Sequence, residues 1–486
     1  MPRCGEPFEI NLFFGGKNMS KKKILISCIV LVSLFICVFP AFGQAVPKAS
    51  SAIQRTLRGM NITIGNWWAD YNPNNTPPTS QWVGSDVQNR ELDFRKRVLR
   101  EYNFTMQVKN IASWNEMPQI AATSIMAGRP AADVFVLQPD WALALYRQNL
   151  IYPVGDSRAV NWTATTPIEW NSSVRSAFTL GANSGRGMKT YAFAAGYGGS
   201  YHAACVFFNK RLFREAGLDP NLPYDLQKSG QWTWDKFLEI CKQLTRDTNN
   251  DGIMDTYAMP ADLSTEILDA FVSSNGAMYV DKDARTGRLV NATNRPAFVE
   301  AVQYYIRLRN EGIFKPKPTA EGTAWNWHIP EFNDGRVAMR IDQQYLATND
   351  LRNMRDDWGM VLPPKGPRVR NYVVFNDENV MVIPAQGYTP AQVDAILWAV
   401  QTWLTPVDPD WRLAEYPNYR DRRAVDETVA LIRDQKLWQW KYHLHVPGLN
   451  RGGIAWEIWW HDGEAAQLIE AVSQNWNALI DDANGL

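Results

Sequence analysis

Four tryptophans and one carboxylate stand where loops could present them to a small polar solute. Trp67, Trp68, Trp114, Asp140 and Trp141 each lie in or beside a segment that follows a β-prone run. An indole offers a flat apolar face that can cover the C–H face of a sugar ring. A carboxylate accepts paired hydrogen bonds from vicinal hydroxyls. The chain holds 21 Trp within 12% aromatic residues. Most of these must serve packing, because the lining of a pocket is small.

A second group is Asp247-x-Asn249-x-Asp251-Gly252-x-x-Asp255. It sets oxygen atoms at alternate positions around the glycine that a tight calcium loop uses. Ala258 stands at the twelfth position, where such loops carry a chelating Glu. Two readings stand: a structural calcium, or an Asx/Gly turn that satisfies its own backbone. No other cofactor is expected. His443, His445 and His461 lack helical-pair spacing and companion cysteines, so zinc is not expected. Nothing resembles a nucleophile elbow, a phosphate-cradling glycine loop or an HExxH zinc site. Carboxylates are plentiful, so a secreted glycoside hydrolase working through an acid pair stays as the alternative to a binder.

The elements that would position these groups alternate. Residues 61–64 are β-prone, and 90–102 carry Leu92, Val98, Leu99 and Tyr102 on one helical stripe. A strand over 105–108 follows, then a helix with Met117, Ile120, Ala121 and Ile125 on one face, ending before Gly128. Residues 133–137 read as a fully buried strand and 141–148 as the next helix. The β-α-β-α-β-α order predicts a parallel sheet with helices on its faces. Ligands sit beyond the carboxyl ends of such strands, which is where the first aromatic group falls. Further on, 191–195, 203–208, 337–341, 371–375 and 380–383 are β-prone, and the last hundred residues read as mostly helical.

The length of 486 residues exceeds one ordinary core and predicts two domains. Apolar residues at 45% and charged residues at 21% are those of a globular chain. Lys+Arg and Asp+Glu are both 50, so no global field draws nucleic acid or an anionic membrane. Lys21, Lys22 and Lys23 precede an apolar run over 24–39, and small residues then lead to cleavage points after Gly43 and Ala45. Residues 1–43 therefore read as a signal segment that places the mature chain in the periplasm or another extracytoplasmic space. Met19 offers a second start, which would leave 1–18 untranslated. Of the five Cys, Cys4, Cys28 and Cys37 go with that segment. Cys205 and Cys241 remain, as a disulfide or as two buried thiols.

Five segments, in order, resemble one family. They are FNKRLFREAGLDP at 208–220, WTWDKFL at 232–238, LTRDTNNDG at 244–252, GRVAMRID at 335–342 and WGMVLPPKG at 358–366. Together they are similar to the family 1 extracellular solute-binding proteins, which include the maltose-binding proteins and their oligosaccharide relatives. The resemblance covers roughly residues 60–385. It implies the two-lobed α/β periplasmic-binding-protein fold (type II), each lobe a mixed or parallel sheet flanked by helices, with the ligand cleft between lobes and closing by domain motion. Lobe one would span 44–200 and lobe two 201–372. Residues 373–420 would return to lobe one, and 421–486 would form C-terminal helices on lobe two. The resemblance adds site residues: Tyr201 and His202 at the first crossing, Asn275 after a lobe-two helix, Tyr345 as a stacking ring, Asn376, Asp377 and Glu378 at the second crossing, and Trp456 near the C-terminus. It implies a non-enzymatic monomer that delivers a sugar to the membrane permease subunits of an ABC importer. A peptide or metal chelate on the same fold is a further alternative.

Overall fold

The computed structural model describes residues 45–485 except 80–81, 164–167, 182–186, 196–201, 262–264, 319–322, 324–325, 409 and 461–463. The basic and apolar runs of the signal segment, Tyr201 and His461 lie outside the described residues.

The strand Asn61–Asn66 pairs in parallel with Thr105–Asn110 and with Val134–Leu137. Val380–Val382 closes this sheet antiparallel to Val134–Leu137. Val134–Leu137 is buried along its whole length, as a strand covered on both faces must be. Strand alternation then divides the core. Val134 and Val136 join one apolar cluster with Ile62, Ile64, Phe94 and Ile396, while Phe135 and Leu137 join another with Met117, Ala121 and Ile125. The helix Asp86–Tyr102 begins at a capping box between Ser85 and Gln88, which satisfies orphan N–H groups of its first turn.

A separate, larger cluster gathers Ala203 to Phe375 with Tyr419 to Ile480. Its sheet has Ala204–Asn209 between Met339–Gln343 and Trp358–Val361, and both pairings are antiparallel. The chain from Ala204–Asn209 to Met339–Gln343 runs through several helices and short strands rather than one crossover helix, so nothing local imposes the parallel sense. Cys205 and Cys241 are both buried as free thiols.

The C-terminal region departs from the expected run of helices on lobe two. Residues Trp438–Trp440 form a strand parallel to Val374–Asn376. The segment around it reaches the first lobe. Gln435 Nε2 donates to Glu169 Oε1 (2.5 Å) and Trp170 O (3.2 Å), and its Oε1 accepts from Ser172 N (3.0 Å). Trp440 packs in the first-lobe core, 6.2 Å from the Phe178 ring, and Arg147 donates to His445 O at 3.1 Å. Only then does the chain return to the second core through Gly452–Trp460 and Ala465–Asn484. Within residues 435–445 Trp440, Lys441, His443 and His445 are buried, and no helical period runs across them. No helix among the described residues is long and apolar enough to cross a membrane.

Candidate functional site

Parallel strands point their carboxyl ends to one edge, and the loops after them carry the aromatic array. Asn66 ends the first strand buried, and its Oδ1 accepts from Trp68 N (2.9 Å) and Ala69 N (3.0 Å). This local turn sets Trp67 and Trp68 on the sheet edge. Trp114 follows the strand Thr105–Asn110, and Trp141 lies in the first turn of the helix Pro139–Arg147. The rings meet edge to face: Trp67 is 4.7 Å from Trp68 and 5.2 Å from Trp141, which is 5.3 Å from Trp114. Trp68 and Trp114 are each 52% exposed. Two large exposed indoles beside two others form a continuous aromatic surface.

That surface floors a cavity of about 900 Å³, within the range of small-ligand sites. Trp67, Trp68 and Trp114 line it from the first lobe, with Asn66, Gln138 and Trp403 beside them. His202, Gln343, Tyr345, Thr348 and Asn349 line it from the second. Asp377, Glu378 and Asn379 line it where the chain passes between the lobes. Tyr345, in the short helix Gln344–Ala347, keeps its ring 37% exposed and 6.3 Å from the His202 ring.

The charges at the crossing are paired. His202 Nδ1 lies 3.1 Å from Asp377 O and 3.5 Å from Asp377 Oδ1. Lys441 Nζ donates to Asp377 Oδ2 at 2.9 Å. Burial alone would lower the His202 pKa, but the Asp377 carboxylate outweighs it, with help from Glu378, and holds it up at about 9. Burial alone would raise the Asp377 carboxyl, and the charges of Lys441 and His202 outweigh it and hold it well below the usual carboxylate range. At neutral pH the crossing therefore presents an imidazolium beside carboxylates.

The sequence profile of the bacterial extracellular solute-binding proteins matches residues 100–405. The chain belongs to that family. Solved structures of similar fold include the cyclic alpha-maltosyl-1,6-maltose binding protein of Arthrobacter globiformis, at 13% identity and TM-score 0.57, with 87% of this chain and 100% of that one covered. An ABC substrate-binding protein of Listeria monocytogenes in complex with cycloalternan is similar at 14% identity and TM-score 0.55, covering 87% and 99%. UgpB of Mycobacterium tuberculosis in complex with glycerophosphocholine is similar at 15% identity and TM-score 0.55, covering 87% and 98%. No curated protein matches the sequence. This solute-binding protein thus has the two-lobed fold of its relatives.

The structure gathers Trp67, Trp68, Trp114, His202, Tyr345, Asp377 and Glu378 around one cavity. Trp141 stands behind the lining and supports Trp67 and Trp114. Asp140 and Trp456 are exposed but are not in the cavity wall. Asn376 is buried, with Nδ2 on Asn171 Oδ1 at 3.4 Å and Oδ1 accepting from Glu378 N at 3.3 Å. Asn275 is also corrected to a packing role. Its Nδ2 donates to Ala297 O (2.8 Å) and its Oδ1 accepts from Arg368 N (3.0 Å), so both ends of the amide are used inside the lobe. Gln343 and Asn379 adjoin residues that sequence reasoning reached and could have been found by extension. Trp403 and Lys441 carried no local signal.

The Asp247 loop satisfies its own backbone. Asp247 Oδ1 accepts from Asn250 N (2.7 Å) and its Oδ2 from Gly252 N (2.7 Å), while Asn249 Oδ1 accepts from Asp251 N (2.8 Å). Asp255 Oδ2 accepts from Thr248 N at 2.7 Å. Among the described residues no group of three or more His, Cys, Asp or Glu converges to hold a metal. The contacts within the loop are Asx-type hydrogen bonds from side-chain oxygens to the backbone. His443 and His445 are buried apart from the cavity, and Trp440 Nε1 donates to His445 Nε2 at 3.0 Å.

Proposed function

We propose that this solute-binding protein captures a sugar or short oligosaccharide and delivers it to the permease subunits of an ABC importer. The observation that carries this reading is the array of exposed indoles on the cavity floor opposite the Tyr345 ring. Flat apolar faces on both walls, with amides and carboxylates between them, suit a solute that is itself amphipathic. The described lining contains no Lys or Arg, which favours a neutral solute over a polyanion. The structures bound to cycloalternan and named for a maltosyl-maltose support the same class by analogy of fold.

A glycoside hydrolase of the acid-pair type needs one carboxyl kept protonated near neutral pH. Asp377 is held ionised by Lys441 and His202 and does not suit the role of that acid. Calorimetric titration with maltotriose and mannotriose should give saturable binding, and prolonged incubation should leave both sugars intact. Protein-dependent cleavage would make the protein an enzyme; no binding to either sugar would end the sugar reading.

Export by the leader belongs to the same proposal. The basic run, the apolar run and the small residues before Gln44 and Val46 support it. N-terminal sequencing of protein recovered outside the cytoplasm should begin at or near Gln44 or Val46. Retention of Lys21 would count against it.

A further inference from the structure

The cavity polar groups depend on a chain of buried charges that begins far from the cavity in sequence. Lys441 follows the strand Trp438–Trp440, which lies parallel to Val374–Asn376, so strand pairing delivers it to the crossing. Its side chain is only 6% exposed. It sits between two carboxylates, 2.9 Å from Asp377 Oδ2 and 3.8 Å from Asp269 Oδ2. Asp269, on the helix Glu266–Ser274, is in turn paired with Arg451. Asp377 Oδ1 is buried and accepts no hydrogen bond. It faces His202 Nδ1 at 3.5 Å. A buried carboxylate is costly unless neighbouring charges compensate it, as Lys441 and His202 do here.

We infer that Lys441 is a positioning residue for the cleft: by occupying Asp377 Oδ2, with Asp269 and Arg451 behind it, it keeps Oδ1 turned to His202, so that the His202 ring is held against the cavity. No local signal marks Lys441, and it does not itself line the cavity, which it reaches through Asp377. The charged groups around the pair are Glu378 on the crossing, Lys441 and Arg451 from the C-terminal region, and Asp269 from the second-lobe helix. The Tyr345 ring lies 6.3 Å from the His202 ring.

The consequence is a pH profile. Burial pushes the Asp377 carboxyl up, and Lys441 is the first of the charges that hold it down. Without Lys441 the carboxyl should titrate in or above the ordinary carboxylate range. The His202 ring, next to it, reports that titration.

The test is histidine-ring NMR on the full mature chain without ligand, the His202 signal being assigned by its loss in His202→Gln. In the wild type the signal should stay flat from pH 4.5 to 7.5 and titrate at about 9. In Lys441→Met a new inflection should appear between pH 4.5 and 7, and Lys441→Arg should restore the flat profile. Maltotriose affinity should fall about tenfold between pH 7.5 and 5.5 in Lys441→Met but less than about twofold in the wild type. Only this affinity arm rests on the sugar reading. Failure of maltotriose to bind at any pH would count against that reading and leave the NMR outcome to decide Lys441. A flat Lys441→Met profile overturns the inference. So does a wild-type His202 that titrates near the ordinary histidine value, which remains decisive if Lys441→Met does not fold.

Discussion

Trp68→Ala is expected to weaken oligosaccharide binding about thirtyfold while leaving the fold intact. Trp68 lines the cavity and is 52% exposed, so truncation removes little that folding had buried. Its main contact is the edge of Trp67 at 4.7 Å. Once a solute covers it, the same indole becomes a desolvated anchor, and loss of such an anchor costs about 2 kcal/mol or more. Tyr345→Ala on the opposite wall should act the same way, since its ring is also partly exposed and lines the cavity. The two losses should add if each ring covers its own part of the ligand. Calorimetry on both single variants and the double variant, with the unfolding midpoint measured alongside, checks this. Unchanged affinity in a folded Trp68→Ala protein would remove the indole array from the binding site.

Acidification should strip stability through the buried histidines. His445 is buried, and burial followed by the charges of Lys282 and Arg147 lowers its pKa to about 3. Burial, with Arg451 and Lys441, likewise pushes His443 well below its ordinary value. In the unfolded chain both take up protons near pH 6.5, the ordinary histidine value. Between that pH and the folded value the unfolded state binds more protons, so stability is full above about 6.5 and falls as pH drops. By pH 4 the loss from His445 alone should reach about 3 kcal/mol. His202 acts with the opposite sign. Its folded pKa of about 9 lies above the unfolded one, so its contribution is full below about 6.5 and is lost as pH rises through 9. Guanidinium unfolding from pH 4 to 10 should therefore trace a dome. His445→Gln should flatten its acid side. An acid limb as steep in His445→Gln as in the wild type would contradict the assignment.

Much of the first lobe was legible because its physics is local. A buried apolar run at 134–137 and the helical stripe through Val98, Leu99 and Tyr102 appear directly in the residue types, and the structure places Val134–Leu137 and Asp86–Tyr102 there. Alternation of such elements leaves few topologies, and the parallel sense follows from the crossovers. The tryptophans after those strands could be named as candidates for the same reason: their place at a strand end is a property of the local sequence. What the residue types could not say is which polar groups face the cavity and which are spent on packing. Asn275 and Asp377 are equally polar in sequence. One has its amide used by Ala297 and Arg368, and the other keeps an oxygen unbonded beside His202. That difference rests on partners 22 to 175 residues away, which no local pattern encodes. The route of residues 435–445 back to the first lobe, and with it the placement of Lys441, was decided by tertiary structure alone. It depends on a parallel pairing with Val374–Asn376 and on the fit of Trp440 beside Phe178. Short, non-periodic apolar segments take their conformation from the surface they cover, so their structure exists only once that surface has formed.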